Sequence, residues 1–237
     1  ATRCRGVNAT APLLDAVALK RHFVLRRSRL WREPLRVRAV DEVSFRIDPG
    51  ETLGLVGESG CGKSTVGRLI LGLERPDAGR IAFEGRTLDT KRTVELRALR
   101  RRAQMVFQDP LNALDPRLTI GSQIVEPLVI HRIGERADHP ARLAAALAAV
   151  RLPDEMSERY PHELSGGQLQ RVVIARALVL EPRLVVCDEP VSALDVSVQA
   201  QIVNLLARLQ RERHIAYLFI SHDLKVVGHI SHRVAVM

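Results

Sequence analysis

The chain has 237 residues, a length that predicts one large domain carrying a lobe or an insertion. Hydrophobic residues make up 46% and charged residues 27%, a balance typical of globular proteins that excludes extended disorder and collagen-like repeats. No window approaches the ~18 uninterrupted apolar residues that a membrane span needs, and no signal-peptide pattern is visible. The three widely spaced cysteines, Cys4, Cys61 and Cys187, form neither a disulfide framework nor a zinc pattern, so we expect a cytosolic chain.

The net charge of +9 comes from 36 basic and 27 acidic residues, and 32 of the 36 basic residues are arginine. The first 46 residues hold 11 basic and 4 acidic side chains, so +7 of the charge lies there. Such a basic arm is compatible with contacts to nucleic acid or anionic lipid, but the preponderance of arginine indicates a coding bias and favours a solvated surface. Phe23 and Trp31 are not interleaved with the charges as a base-stacking platform requires.

In chain order, a tail over residues 1–16 is predicted first, followed by alternating strands and helices. The predicted elements are strand Val37–Ile47, strand Thr52–Val56, helix Thr65–Leu73, helix Glu95–Arg102, strand Gln104–Phe107, helix Ser165–Leu180, strand Leu184–Cys187, helix Val196–Arg213, strand Ala216–Ile220 and a strand over residues 234–237. Residues 111–164 are rich in alanine and leucine and follow a helical period, which predicts a helical lobe broken at Pro127, Pro140, Pro153 and Pro161. The alternation predicts an α/β fold with a mostly parallel sheet covered on both faces.

The strongest motif follows the strand Thr52–Val56 and precedes a helix. It is the phosphate-binding loop Gly57-Glu58-Ser59-Gly60-Cys61-Gly62-Lys63-Ser64-Thr65. Its glycines allow backbone N–H groups to point at phosphate oxygens, and the following helix adds its positive dipole end. We expect Lys63 to contact the β- and γ-phosphates and Ser64 to offer its hydroxyl to Mg²⁺, whereas Cys61 is interpreted as a small loop residue.

A second motif places two carboxylates, Asp188 and Glu189, at the end of the strand Leu184–Cys187. Ligands bind at the carboxyl ends of strands in open α/β sheets, and successive strand residues point in opposite directions. Asp188 is therefore expected to ligate Mg²⁺, and Glu189 to act on the attacking water as base or polarising acceptor.

A third motif, Leu164-Ser165-Gly166-Gly167-Gln168, is another serine- and glycine-rich anion cradle before a helix. A second cradle has no evident use within one site, but it has one if it completes a site on another subunit. With this motif, the sequence from about residue 16 to Met237 resembles the nucleotide-binding subunits of ATP-binding cassette (ABC) transporters. The resemblance implies a P-loop NTPase with a mostly parallel core sheet, an antiparallel N-terminal β-subdomain and a helical lobe next to the signature motif.

Further residues match the family pattern one by one. Gln108 resembles the glutamine that reaches Mg²⁺ and the attacking water and links the core to the lobe. Asp195, in the segment Ser192-Ala193-Leu194-Asp195, resembles the residue that crosses the dimer interface, and His222 the switch histidine that bonds the γ-phosphate. Phe23 resembles the aromatic residue that stacks on adenine, but core packing is an open alternative because a basic insertion, Leu25–Val37, follows it.

The finer resemblance is to the dipeptide, oligopeptide and nickel importer subfamily. It rests on two phrases, Phe107-Gln108-Asp109-Pro110 followed by Ala113-Leu114-Asp115-Pro116-Arg117, and Glu189-Pro190-Val191-Ser192-Ala193-Leu194-Asp195-Val196-Ser197-Val198-Gln199-Ala200-Gln201. It implies a cassette over residues 17–237, with a catalytic core over 17–110 and 165–237, a lobe over 111–164, and a C-terminal extension that the 237 residues do not contain. The tail with Cys4 is also compatible with the end of a preceding module in a fused two-cassette chain.

The resemblance implies an ATPase at the cytoplasmic face of the membrane that energises import of peptides or a related small solute. Its cofactors would be ATP and Mg²⁺. Its partners would be a second cassette, identical, homologous or fused, in a head-to-tail dimer, two transmembrane permease subunits and, indirectly, an extracytoplasmic solute-binding protein. No specific nucleic acid is expected. The alternative is a soluble cassette ATPase acting on ribosomes or DNA, which the absence of a coiled-coil insertion and of zinc cysteines disfavours. A degenerate scaffold is disfavoured because Lys63, Asp188 and Glu189 are all present.

Overall fold

The structure, a computed structural model, describes residues 11–25 and 35–237. Cys4, Trp31, residues 1–10 of the expected tail and residues 26–34 of the expected insertion lie outside the described residues. The strands are β1 Leu14–Leu25, β2 Leu35–Ile47, β3 Thr52–Val56, β4 Ala78–Phe83, β5 Arg86–Thr87, β6 Ala103–Val106, β7 Leu184–Asp188, β8 Ala216–Ile220 and β9 Arg233–Val236. The helices are α1 Lys63–Ile70, α2 Thr93–Arg102, α3 Ile120–His131, α4 His139–Ala149, α5 Gly166–Leu178, α6 Val196–Arg213 and α7 Leu224–Ile230.

Two sheets organise the described chain, and they confirm the predicted fold class. The core sheet is parallel, with strand order β6-β7-β8-β3-β9, and the second sheet is antiparallel, with order β2-β1-β4-β5. In the core sheet, β3, β7 and β8 are buried at every position. Such continuous apolar runs are typical of parallel strands covered on both faces.

Strand β8 shows how the core is divided between the two faces of the parallel sheet. Tyr217 and Phe219 point into a cluster formed with the helical lobe, α5 and α6. Leu218 and Ile220 point into a second cluster formed with α1 and the antiparallel sheet. The helical lobe and the β-subdomain therefore pack on opposite faces of one sheet. The predicted site residues follow the carboxyl ends of the strands of this sheet.

The antiparallel sheet shows where sequence periodicity fails. Strand β1 begins at Leu14, so residues 14–16, which the sequence places in the tail, belong to the sheet. The pairing register of β1 with β2 shifts three times between Ala16 and His22, and Ala18 adopts a positive φ of 50°. These irregularities break the period of two, so β1 carries no clear strand signal. Strands β4 and β5 and the short helix α7 are likewise not predicted.

The helical lobe contains α3, α4 and three short 3₁₀ turns, Arg136–Asp138, Asp154–Glu158 and Pro161–Glu163. Contrary to the expectation that Pro127 breaks the lobe, α3 continues through it. Pro140 instead lies in the first turn of α4, where its missing N–H costs no intrahelical bond. Within the described residues, no helix combines the length and the apolarity that a membrane crossing requires.

Candidate active site

The phosphate-binding loop joins the carboxyl end of β3 to the amino end of α1. Gly60 and Gly62 adopt φ values of 84° and 104°, which side-chain-bearing residues rarely adopt. A Cβ on Gly62 would lie 1.9 Å from the carbonyl oxygen of Ala39 in β2, so only glycine fits there. Lys63 is 5% exposed, and its Nζ donates to the carbonyl oxygens of Gly57 at 2.9 Å and Glu58 at 2.7 Å. The loop is thus curled around the lysine ammonium.

Ser64 and Asp188 meet at the same edge of the sheet. The Ser64 hydroxyl donates to Oδ1 of Asp188 at 2.8 Å, and Asp188 is 6% exposed. Burial raises the pKa of Asp188 above its ordinary value of 3.8, while the Ser64 hydrogen bond and the charges of Arg68 and Lys63 oppose the rise. The sequence expectation that Ser64 and Asp188 act together is consistent with this geometry.

Replacing Asp188 with asparagine is expected to stabilise the nucleotide-free chain at neutral pH. A carboxyl whose pKa is raised by folding binds its proton more tightly in the folded state, so its ionisation lowers the free energy of unfolding as the pH rises above 3.8. Asparagine is always neutral and can still accept from Ser64. Denaturant unfolding should show Asp188→Asn more stable than the wild type at pH 7, with the difference narrowing towards pH 4. The matched control is Asp154→Asn at an exposed position, and an equal stability at pH 7 would contradict the prediction.

Glu189 is contacted by two of the predicted site residues. Nε2 of Gln108 donates to its Oε2 at 3.1 Å, and Nδ1 of His222 lies 3.4 Å from the same oxygen. Glu189 has a φ of 47°, and its N–H donates to the carbonyl of Ile220. These contacts fix the carboxylate beside the loop that carries Gln108 and the turn that carries His222. The three residues follow the carboxyl ends of three neighbouring strands, β6, β7 and β8.

The signature residues form a separate group. Ser165 caps α5: its hydroxyl accepts from the N–H of Gln168 at 3.4 Å, while the Gln168 side chain accepts from the N–H of Ser165 at 2.9 Å. Gly166, Gly167 and Asp195 line the same depression of about 420 Å³ as these two residues. Asp195 and Val196, at the start of α6, are exposed, Val196 to 81%.

Among the described residues, no hydrogen bond joins the loop Gly57–Thr65 to the Ser165–Gln168 cradle. The structure places Lys63, Ser64, Gln108, Asp188, Glu189 and His222 at or just after the carboxyl ends of the core strands, whereas the signature residues and Asp195 line a depression of their own.

Phe23 lies in β1 opposite Val37 and is half-buried. The guanidinium carbon of Arg21 lies 4.7 Å from the centre of its ring, so this cation is stacked on the aromatic face. Arg21 is in turn held by Glu74 and Asp77 at 3.0 Å. Arg21 therefore covers one face of the half-buried Phe23 ring.

A network that sequence reasoning missed holds the segment after Gln108. Arg176 of α5 donates to the carbonyl of Ala113 at 2.7 Å and to the carboxylate of Glu126 in α3. The buried amide of Gln123 clamps residues 115–118 by one backbone N–H and two carbonyls, at 2.7–3.0 Å. In the sequence, Gln123 and Arg176 are visible only as polar residues in helices whose neighbouring positions are apolar. This pattern does not reveal the partners of their side chains. The signature helix α5 is thereby tied to the Gln108 loop.

The Arg176 contact is expected to matter for turnover more than for binding. Arg176→Gln should lower kcat roughly tenfold, since a small displacement of a positioned group is costly, with little change in ATP affinity. Arg176→Lys keeps a positive charge near Glu126, but an ammonium lacks the planar guanidinium that donates to Ala113 and Glu126 together. An intermediate rate is therefore expected. The matched control is Arg211→Gln at an exposed position of α6. Steady-state ATPase assays and nucleotide titrations separate the two effects, and an unchanged kcat with weakened binding would contradict this role.

The geometry above matches a known class of nucleotide-binding domain. The family model described as "ABC transporter" matches residues 40–192, and the chain belongs to this family. The solved dimer of the ATP-binding cassette MJ0796 with ADP and phosphate is 28% identical, with a TM-score of 0.80 over 94% of each chain. The structure of CbiO1 from Clostridium perfringens, part of a transporter complex, is 27% identical with a TM-score of 0.81, covering 95% of this chain and 84% of that one.

The similar curated sequences are importer ATP-binding proteins. The glutathione import ATP-binding protein GsiA of Pectobacterium atrosepticum is 54% identical over 226 residues, which are 95% of this chain and 36% of that protein. The oligopeptide transport ATP-binding protein OppF of Salmonella typhimurium is 52% identical over 228 residues, which are 95% of this chain and 68% of that protein. The chain thus spans about a third of GsiA and about two thirds of OppF.

Proposed function

We propose that this chain is the ATP-hydrolysing part of an importer for peptides or a related small solute. The observation that carries the proposal is the separation of a phosphate-loop half-site from a signature half-site. Two chains in a head-to-tail dimer place each loop against the other chain's cradle. The sequence identity to GsiA and OppF supports import as the process that hydrolysis drives. The chain would lie at the cytoplasmic face of the membrane with two transmembrane permease subunits, and an extracytoplasmic solute-binding protein would be an indirect partner. We divide the cassette into a core, residues 17–110 and 165–237, and a lobe, residues 111–164.

The phosphate loop and the Ser165 cradle act on ATP from two sides. Backbone N–H groups of Gly57–Thr65 and the ammonium of Lys63 neutralise the β- and γ-phosphate charges, and Asp195 closes the interface beside the cradle. Phe23 contributes to the adenine side together with Arg21. The closed dimer requires the γ-phosphate, since this group is the part of ATP that reaches the second cradle.

Water attack is assigned to the residues around Glu189. The water oxygen forms a bond to the γ-phosphorus as the bond to the β–γ bridging oxygen breaks, and Glu189 accepts or polarises the water proton. Gln108 and His222, which contact the same carboxylate oxygen, position the water and sense the γ-phosphate. Release of phosphate removes the group that joins the halves, so the dimer opens and the lobe transmits the motion.

The donor set beside the loop fits Mg²⁺. The Ser64 hydroxyl and the Asp188 carboxylate lie 2.8 Å apart, and hard oxygen donors with phosphates and water are what Mg²⁺ prefers. Ser64 and Asp188 would hold the ion, with Gln108 at its edge. When bound, it would neutralise charge on the β- and γ-phosphates.

A mixing experiment tests the shared site. Lys63→Ala removes the loop cation and Ser165→Arg blocks the cradle, so each variant alone should be nearly inactive. A mixed dimer retains one site with an intact loop and an intact cradle, so an equal mixture should recover about a quarter of the wild-type ATPase rate if subunits pair at random. Mixing Lys63→Ala with itself is the control. A wild-type rate that rises in proportion to concentration, from a chain shown to stay monomeric, would overturn the shared site.

Import is tested separately from hydrolysis. Permease subunits and a peptide-loaded binding protein should co-purify with the chain or its full-length parent, and uptake of labelled di- or oligopeptide should require Glu189. Recovery of ribosomes or DNA in place of membrane subunits would favour the soluble alternative.

A further inference from the structure

The amino-terminal edge of the parallel sheet carries a cluster of arginines that the ATP site does not use. Two adjoining depressions, of about 620 and 330 Å³, share Glu181 and Arg183 in the turn before β7. We define the arginine patch as the six arginines that line them, Arg97, Arg101, Arg102, Arg142, Arg183 and Arg213.

The patch and the phosphate loop lie at opposite ends of the parallel strands. Arg102 and Arg183 immediately precede β6 and β7, and Arg213 ends α6 just before β8. The phosphate loop, Asp188 and His222 lie at the opposite, carboxyl ends of these parallel strands. A five-residue strand spans about 16 Å, so the patch cannot contact a nucleotide bound at the other edge.

The described residues leave most of the charge of the patch without a partner. Within residues 11–25 and 35–237, the side chains of Arg101, Arg142, Arg183 and Arg213 make no ion pair or hydrogen bond, and Glu181 is the one carboxylate in the two linings. Arg102 is paired with Glu84, and Arg97 donates to the carbonyl of Ile130. Desolvation lowers the pKa of His131, and the charges of Arg97 and Arg101 add to this effect.

We propose that the arginine patch docks on anionic phospholipid headgroups of the membrane surface. The proposal rests on the proposed function only in placing the chain beside a membrane. Neighbouring strands lie about 4.8 Å apart, so Arg102 and Arg183 are separated by roughly that spacing at the starts of β6 and β7. Arg213 lies at the end of the helix that precedes the next strand, β8. Charges distributed in this way suit several separate phosphates better than one.

Exposed apolar side chains beside the arginines favour lipid as the occupant. Val94 lines the larger depression and is 80% exposed, and Val129 and Ile130 of α3, next to His131, are 55% and 53% exposed. Apolar groups flanked by arginines are typical of surfaces that rest at the headgroup boundary, whereas single-stranded nucleic acid is bound on aromatic platforms. Among the described residues of the two linings, His131 is the sole aromatic ring.

Vesicle sedimentation of the full chain tests the proposal. Vesicles of phosphatidylcholine alone are compared with vesicles containing an equal amount of phosphatidylglycerol. The variant R101Q/R183Q/R213Q removes three arginines whose side chains make no ion pair or hydrogen bond within the described residues. The matched control R46Q/R86Q/R151Q removes the same charge from exposed positions elsewhere. Because each arginine near an anionic surface contributes about fivefold, the patch variant should lose roughly a hundredfold in partitioning at low salt, and the control far less.

Three results would overturn the proposal. They are an equal loss of vesicle binding in the two variants, no loss of vesicle binding in the patch variant, and no preference of the wild type for anionic over neutral vesicles. Loss of affinity for a DNA oligonucleotide, with vesicle binding unchanged, would assign the patch to nucleic acid and also overturn it. ATP binding and ATPase activity of the patch variant in solution are expected to match the wild type, so a failure of the proposed function is seen separately from a failure of the lipid site.

Discussion

Glu189→Gln is expected to lower the steady-state ATPase rate by at least about a hundredfold while ATP binding persists. The amide preserves the shape of the carboxylate and can still contact Gln108, but it cannot accept a proton from water. Because hydrolysis is the step that opens the proposed dimer, the variant should accumulate as an ATP-bound dimer. Phosphate release assays and size-exclusion chromatography with and without ATP measure both effects.

The control for Glu189 is Glu212→Gln, which changes an exposed carboxylate at the end of α6. It should leave both the rate and the dimer unchanged. Turnover near the wild-type rate in Glu189→Gln would remove this residue from its assigned role. His222→Ala should lower the rate through the same step, because its ring contacts the same carboxylate oxygen.

Gly62→Ala is expected to lower the affinity for nucleotide by at least about a hundredfold, because binding relies on the preorganised backbone N–H groups of the loop. The new Cβ would overlap the Ala39 carbonyl oxygen at 1.9 Å, so either the loop or β2 must move. Titration with a fluorescent ATP analogue measures the loss, and thermal unfolding reports the accompanying strain.

Gly60→Ala provides a matched control in the same loop. Gly60 also has a positive φ, 84°, but a Cβ there has no neighbour within 4 Å. Backbone strain alone costs roughly 1–2 kcal/mol, so Gly60→Ala should retain measurable ATP affinity. Equal losses in the two variants would show that conformational strain and not the Ala39 contact decides the effect.

The parallel half of the fold is predictable from the sequence because buried parallel strands give uninterrupted apolar runs. Strand β3 was expected over Thr52–Val56, and the structure has these bounds. Helix α6 is likewise found over the predicted Val196–Arg213. Strand β1 was missed because its register shifts remove the alternation on which a strand prediction depends. Pro127 was misjudged because packing of α3 against α4 and α5 overrides a local helix breaker.

The phosphate loop and the residues after the core strands can be proposed as site residues from the sequence, because their chemistry is local to strand ends. The ties of Arg176 to Ala113 and Glu126 were not predictable, since they join segments 63 and 50 residues apart and depend on how the lobe packs. The arginine patch was not predictable for the same reason. Its members are scattered from α2 to α6 and become neighbours when the amino ends of β6, β7 and β8 align.

The contact between Ala39 and Gly62 couples two parts of the molecule that belong to different sheets. Strand β2 lies against the phosphate loop with no space for a methyl group, so a shift of that strand by even a fraction of an ångström must be absorbed by the loop. The antiparallel sheet therefore helps to set the backbone conformation of the phosphate loop. Substitutions that weaken the pairing of β2 in this sheet, even far from any catalytic group, should weaken nucleotide binding before they unfold the chain.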